Sequence, residues 1–260
     1  MSTGPKLPKL NGWKRQAPDS KAKLFKGVQA TLTEHASDVI DMRHWCSFVE
    51  DQRTLGSCVA NAIVGALELL RIKNGLAHTE LSRLFTYYNA RLMHNDESTD
   101  SGSIISLAIG TLNTLGTCTE ATWPYVEDLV CIRPAWHAYQ EAYGNKVGNY
   151  ELINGTGQAR IDACINALRG GQPVVFGMDI DEAFTANKSP SLFFSGPNVG
   201  NHAMLMVGYL PAQKQFIVRN SWGTNWADAG YWYMDEQLLD KQNAADTWVL
   251  YETPQLLQKS

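Results

Sequence analysis

The 260-residue sequence predicts an α+β fold in two lobes, and three observations carry that expectation. Apolar residues recur at steps of three and four between Cys58 and Leu115. After Gly170-Gly171 the pattern changes to short β-branched and aromatic runs. A hydrophobic content of 44% is enough to bury a full core, as one large domain or as two lobes sharing an interface. The expected division is an irregular basic leader over residues 1–40, a helical lobe over about 41–125 and a β-rich, barrel-like lobe over about 126–260.

The leader is rich in Lys, Pro and Gly and lacks periodicity. Residues 1–30 hold seven Lys or Arg (Lys6, Lys9, Lys14, Arg15, Lys21, Lys23, Lys26) against the single acid Asp19. Such an arm reads as a solvated tail, or as a segment that wraps the body or crosses a cleft. The first helix begins at Cys58, buries Ile63, Val64, Leu67 and Leu70 on one face, and stops at Lys73-Asn74-Gly75, where Gly permits a left-handed cap. A second helix carries Leu81, Leu84, Phe85, Tyr88 and Leu92, with Thr79 as its expected N-cap. A polar loop from His94 to Ser101 leads to a third, faced by Ile104, Ile105, Ala108, Ile109, Leu112 and Leu115 and closed by Gly116. Further helices are expected after Pro134 and from about Gln158 to Arg169. Strands are expected at Pro173 to Phe176, Ala203 to Leu210, Gln215 to Arg219, Gly230 to Met234 and Thr247 to Glu252, the second and third joined by a hairpin at Pro211 to Lys214.

Composition narrows the function. A net charge of −4 and a pI near 5.9 give no reason to expect nucleic acid or an anionic membrane as partner. No apolar run reaches the length of a membrane span, and the N-terminus has basic residues with Pro5, Pro8 and Pro18 in place of an apolar signal core. A cytoplasmic location is expected, with export of an effector lacking a cleaved signal left open. The five cysteines (Cys46, Cys58, Cys118, Cys131, Cys164) are odd in number and never closer than twelve residues. That is a poor disulfide framework and lacks the paired spacing of a zinc site, so a reducing compartment fits, although a Cys46–Cys118 disulfide stays open. No metal or organic cofactor is expected, and a monomer is the expected state.

Cys58 is the first chemical candidate. It closes the turn Gly56-Ser57-Cys58 at the start of an apolar helix, where unpaired N–H groups and the macrodipole favour a thiolate. A cysteine among small residues is also an ordinary buried hydrophobe. Two downstream blocks change the balance: Asn201-His202-Ala203, with His202 144 residues after Cys58, and Asn220-Ser221-Trp222-Gly223, with Asn220 162 residues after it. Together with Gln52, six residues before Cys58, these blocks resemble the papain-like cysteine peptidases over about residues 38–250. Thr117-Cys118-Thr119-Glu120-Ala121-Thr122-Trp123-Pro124-Tyr125 and the Gly-Ser-Cys-x-Ala-Asn block are similar to those of compact bacterial members.

The resemblance implies a papain-like two-lobed fold with the active site in the cleft between helical and β lobes. It implies that Cys58 is the nucleophile, that His202 is general acid and base and that Asn220 orients the imidazole. A neutral amide can fix the ring's tautomer and plane, and an imidazole in reach of the thiol would give a thiolate–imidazolium pair. Trp222 would shield the His202–Asn220 bond from water. Gln52 and the Cys58 N–H would form the oxyanion hole, where one lost donor typically costs ~2.7–4 kcal/mol. Gly102, Ser103 and Ile104 would run along a bound peptide. Gly177, Ala203 and Ile104 would line an open, apolar second subsite, and Trp222 is counted with the substrate-binding residues. His35, His44, His78, His94 and His137 are expected to be structural or exposed.

There are departures. Many members have Gly, Cys and Trp where this chain has Arg53, Leu55 and Val59. Leu55 removes one usual disulfide, and no long charged helical propeptide precedes the body, so latency by that device is not expected. The reading is a peptidase acting on polypeptides. A cysteine-dependent acyltransferase or deamidase on the same fold, and a catalytically silent binding module, are the alternatives.

Overall fold

The computed structural model describes residues 9–17, 19–27, 38–186, 196–241 and 244–252. Pro5, Lys6, Pro8, Pro18 and His35 lie outside the described residues. Helix α1 (Cys58–Lys73) is buried continuously from Cys58 to Leu70, far beyond the one face its spacing suggests. The reason is its place: it packs on the sheet along one side and on helices α2 (Arg83–Leu92) and α3 (Ile105–Thr114) along the other. It ends as expected at Asn74, with Gly75 in the left-handed region at φ 83°. The N-cap of α2 is Ser82 and not Thr79, since the Ser82 hydroxyl accepts the Phe85 N–H. Just outside that cap, Leu81 donates its N–H to the Glu68 carboxylate (2.8 Å), which also holds the buried Arg83 guanidinium (2.8 Å). Both charges are thereby paired inside the helical layer. A short helix α4 (Trp136–Ala142) covers Cys118 and Phe85.

The second half forms one antiparallel sheet, in the order β2 (Val147–Leu152), β7 (Ala245–Glu252), β3 (Val174–Ile180), β4 (Gly200–Leu210), β5 (Gln215–Arg219), β6 (Tyr231–Asp235). The two-residue β1 (Ile40–Asp41) pairs with β4 beyond the end of β3. The expected barrel-like closure is not present: among the described residues β2 and β6 end the sheet as separate edges. Helix α5 (Gly157–Arg169) and α1 both pack on β4, which is why its eleven residues are almost wholly apolar and buried. Short helices α6 (Glu182–Thr185) and α7 (Leu238–Lys241) complete the elements. Strands β1 and β2 escaped sequence reading because one is two residues long and the other is a mostly half-exposed edge without clean alternation. No helix among the described residues is long and apolar enough to cross a membrane. All five cysteines are free, so the Cys46–Cys118 disulfide does not form.

Candidate active site

The nucleophile turn is built from backbone outward. Gln52 donates its N–H to the Ser221 carbonyl (2.8 Å), which ties the turn before α1 to the chain just after β5. Its side-chain amide is fully buried. Ser221 Oγ donates to Oε1 (2.7 Å) and Nε2 donates to the Leu55 carbonyl (2.9 Å), so the amide plane is fixed at both ends. Tyr125, the last residue of the Trp-Pro-Tyr block, donates its hydroxyl to the Gln52 carbonyl (2.9 Å) and meets Ser57 Oγ (2.5 Å). That block therefore braces the turn from the helical side. Cys58 opens α1, which packs on β4, the strand that carries His202.

His202 is 1% exposed on β4, and Asn220 lies one residue past the end of β5. Antiparallel pairing of those strands brings them together: His202 Nε2 and Asn220 Oδ1 are 2.7 Å apart. With Nε2–H donating to that oxygen, the tautomer leaves Nδ1 free for proton transfer. Asn220 Oδ1 also accepts the Ser221 N–H (2.8 Å), which fixes the amide's orientation. Trp222 lies over the imidazole at 4.7 Å between ring centroids and is itself enclosed by Phe184 and Trp226. The residue thus excludes water from the His202–Asn220 bond.

The cleft is filled by the chain's own leader. Ser103 donates its N–H to the Gly12 carbonyl (2.9 Å) and accepts the Lys14 N–H (2.9 Å), pairing Trp13 with Ser103 in the parallel sense. Asn11 donates to the Asn201 carbonyl (3.0 Å), so the leader is held from both lobes. Gly12 sits on Cys58: a Cβ there would lie 2.8 Å from Cys58 Sγ and 2.7 Å from the Gly56 carbonyl oxygen. The Trp13 ring lies against Gly177, where a Cβ would come within 2.2 Å of it. Four ion pairs follow the leader outward, Lys9–Asp100, Lys14–Asp96, Arg15–Asp179 and Lys23–Glu151.

Burial sets the charge state. It pushes the Cys58 thiol up to about 12, and it pulls His202 down to about 4 against the Asn220 bond, which acts the other way. The thiolate–imidazolium pair expected from the sequence is therefore not the favoured form of the covered site, because burial leaves both charges poorly solvated.

Trp13 lies between unlike neighbours. Gly177 meets one face of its ring, and the indole donates to the Asp246 carboxylate (2.9 Å), which accepts the Gln16 N–H as well (2.9 Å). The pocket is apolar on the Gly177 side and acidic at Asp246. Asp246 holds φ at 51°, an uncommon conformation for a residue other than Gly, Asn or Asp, beside the irregular pairing of β3 and β7. Ile104 is half-buried at the N-cap of α3, and Gly102, at φ 78°, lies under the Gly12 carbonyl.

The model for the papain family cysteine proteases matches residues 36–250. The chain belongs to that family. It is 37% identical over 214 residues to an uncharacterized peptidase C1-like protein of Acanthamoeba polyphaga mimivirus, covering 78% of this chain and 69% of the relative. A cathepsin L-like proteinase of Fasciola hepatica is 28% identical over 217 residues, 80% of this chain and 63% of its own length, so the chain spans under two thirds of that relative. Among solved structures, xylellain, a cysteine protease from Xylella fastidiosa, superposes with a TM-score of 0.82 at 26% identity, covering 97% of this chain and all of that one. The chain is thus a papain-like cysteine peptidase with the two-part α+β fold of that family, and acyltransferase, deamidase and silent-binding alternatives are not favoured.

Sequence reading of this peptidase missed Trp13, Asp100, Asp246 and Ser221. Only Ser221 carried a local signal, its place inside the Asn-Ser-Trp-Gly block. The other three owe their roles to partners 13 to 233 residues away.

Proposed function

We propose that the chain hydrolyses polypeptides through Cys58, with His202, Asn220 and Gln52 in the roles their motifs suggest, and that its leader masks this site. The Cys58 thiolate attacks the scissile carbonyl carbon, and the oxyanion is held by the Cys58 N–H and Gln52 Nε2. Collapse breaks the C–N bond, and His202 delivers its proton to the departing amine. His202 then takes a proton from water, which attacks the thioester, releasing the acid and restoring the thiol. Asn220 keeps the imidazole in the tautomer this exchange needs.

The observation that carries the reading is the buried 2.7 Å His202–Asn220 bond, with Cys58 heading the helix that packs on the strand carrying His202. A reducing, cytoplasmic setting is part of the proposal, supported by five unpaired thiols. A net charge of −4 supports polypeptide over nucleic acid or an anionic membrane as partner. The test is hydrolysis of a peptide library by the full chain and by Cys58→Ser. Cleavage lost in the variant, at an unchanged melting temperature, is expected; undiminished cleavage by the variant would refute the assignment.

A further inference from the structure

The turn carrying Cys58 holds no disulfide, and side chains tie its backbone to the substrate-binding edge instead. Asp100 stands at that point. Its Oδ1 accepts the Gly56 N–H (3.0 Å) and the Tyr87 hydroxyl (2.6 Å). The Tyr87 oxygen in turn accepts the Gly102 N–H (2.9 Å). A continuous chain thus runs from Gly56, two residues before the thiol, through Asp100 and Tyr87 to Gly102, next to the Ser103 that pairs with extended chain in the cleft.

The surroundings are built for this contact. Tyr87 is fully buried on α2, with the Arg91 guanidinium over its ring at 4.1 Å. Gly56 is pressed so closely that a Cβ would lie 3.3 Å from both Asp100 Oδ1 and the Tyr87 hydroxyl. The other Asp100 oxygen takes the Lys9 ammonium of the leader (2.7 Å).

We propose that Asp100 is a positioning residue, whose carboxylate clamps the nucleophile turn at Gly56 to the substrate edge at Gly102, and that the leader grips the same carboxylate through Lys9. The proposal rests on Cys58 being the nucleophile. Both clamp donors reach Oδ1, and Gly56 makes only a longer second contact to Oδ2 (3.3 Å), so an acceptor of the same shape keeps the shorter bonds of the clamp, while the charge serves Lys9 and the field at Cys58. Burial is the main reason the thiol is held up, and the negative charge of Asp100 adds to it.

These two duties separate experimentally in the full chain. Peptide hydrolysis and the pH dependence of Cys58 alkylation by iodoacetamide, read by mass spectrometry, are measured for wild type, Asp100→Asn, Asp100→Ala, Tyr87→Phe and Lys9→Ala. Asp100→Asn is expected to keep kcat within about threefold of wild type or above it, and to move the alkylation profile to lower pH. Asp100→Ala should lose on the order of 100-fold in kcat, the scale of a small misplacement of a reacting group. Tyr87→Phe should raise KM, and combined with Asp100→Ala should add little further loss. Lys9→Ala, which removes the leader's hold on Asp100 and leaves the clamp, should not lower kcat.

Wild-type kcat in Asp100→Ala, or a loss in Lys9→Ala equal to that of Asp100→Ala, would overturn the proposal. Should Asp100→Ala fail to fold, an unmoved alkylation profile or a 100-fold kcat loss in Asp100→Asn would overturn it as well. Turnover surviving in Cys58→Ser would instead sink the nucleophile assignment, independently of every Asp100 result.

Discussion

At Gly12 the absence of one carbon decides whether the leader can lie on Cys58. A methyl group there meets a backbone carbonyl and the sulfur at 2.7 and 2.8 Å, and the carbonyl cannot swing aside as a flexible side chain could. Gly12→Ala is therefore expected to lift the leader and raise full-chain peptide hydrolysis by about tenfold or more, since 1.4 kcal/mol of lost docking suffices for that; unchanged turnover would mean the leader does not limit access. His202 responds to the same event through pH. Its covered value near 4 lies below the ordinary 6.5, so as pH falls from about 6.5 toward 4 the uncovered form takes up a proton that the covered form refuses. Masking should weaken over that window and be complete above it. Asp246 acts in the opposite sense, because burial raises its carboxyl, so Asp246→Asn should make acid release steeper in a pH-jump hydrolysis assay. The same carboxylate argues for specificity: with the leader displaced by Gly12→Ala, Asp246→Asn should lower kcat/KM for peptides placing Lys or Arg in the Trp13 pocket, and leave those placing Leu there nearly unchanged.

The leader as an element is held by unequal forces. Its ion pairs among the described residues have cationic partners 30 to 63% exposed, and exposed pairs are worth about 0–1 kcal/mol each and fade with salt. Trp13, 1% exposed, buries an indole worth roughly 4–6 kcal/mol gross by area. Trp13→Ala is expected to activate the full chain more than Lys9→Ala, Lys14→Ala and Arg15→Ala combined, and added salt should activate only a few-fold. A salt response larger than that of Trp13→Ala would reverse this order. Seven cations in thirty residues made the electrostatics visible in the sequence, while the single tryptophan that dominates was silent, because its pocket is assembled from β3 and β7.

Across the whole molecule, what could be read in the sequence were contacts with local signatures. The steps of α1, the Gly75 stop, the hairpin after β4 and the three motif blocks each speak through neighbours in the chain. Closure of the sheet was misjudged because strand count says nothing about which edges meet, and β2 joined by pairing with β7 almost a hundred residues later. Latency through a long helical propeptide is not expected from the sequence, yet a short extended stretch covers the thiol, since a cleft edge needs only a few backbone hydrogen bonds to accept one. Stability and activity should consequently move in opposite directions: Trp13→Ala is expected to lower the melting temperature while raising turnover.

The distribution of free thiols turns this arrangement into its own gauge. Cys131 is exposed, Cys46 half-buried, and Cys58, Cys118 and Cys164 are enclosed. With the leader seated, Cys131 and not Cys58 is the first to be alkylated; with the leader lifted, Cys58 joins it while Cys118 and Cys164 stay silent. The number of labels on an intact molecule then counts open clefts one molecule at a time, with no substrate required.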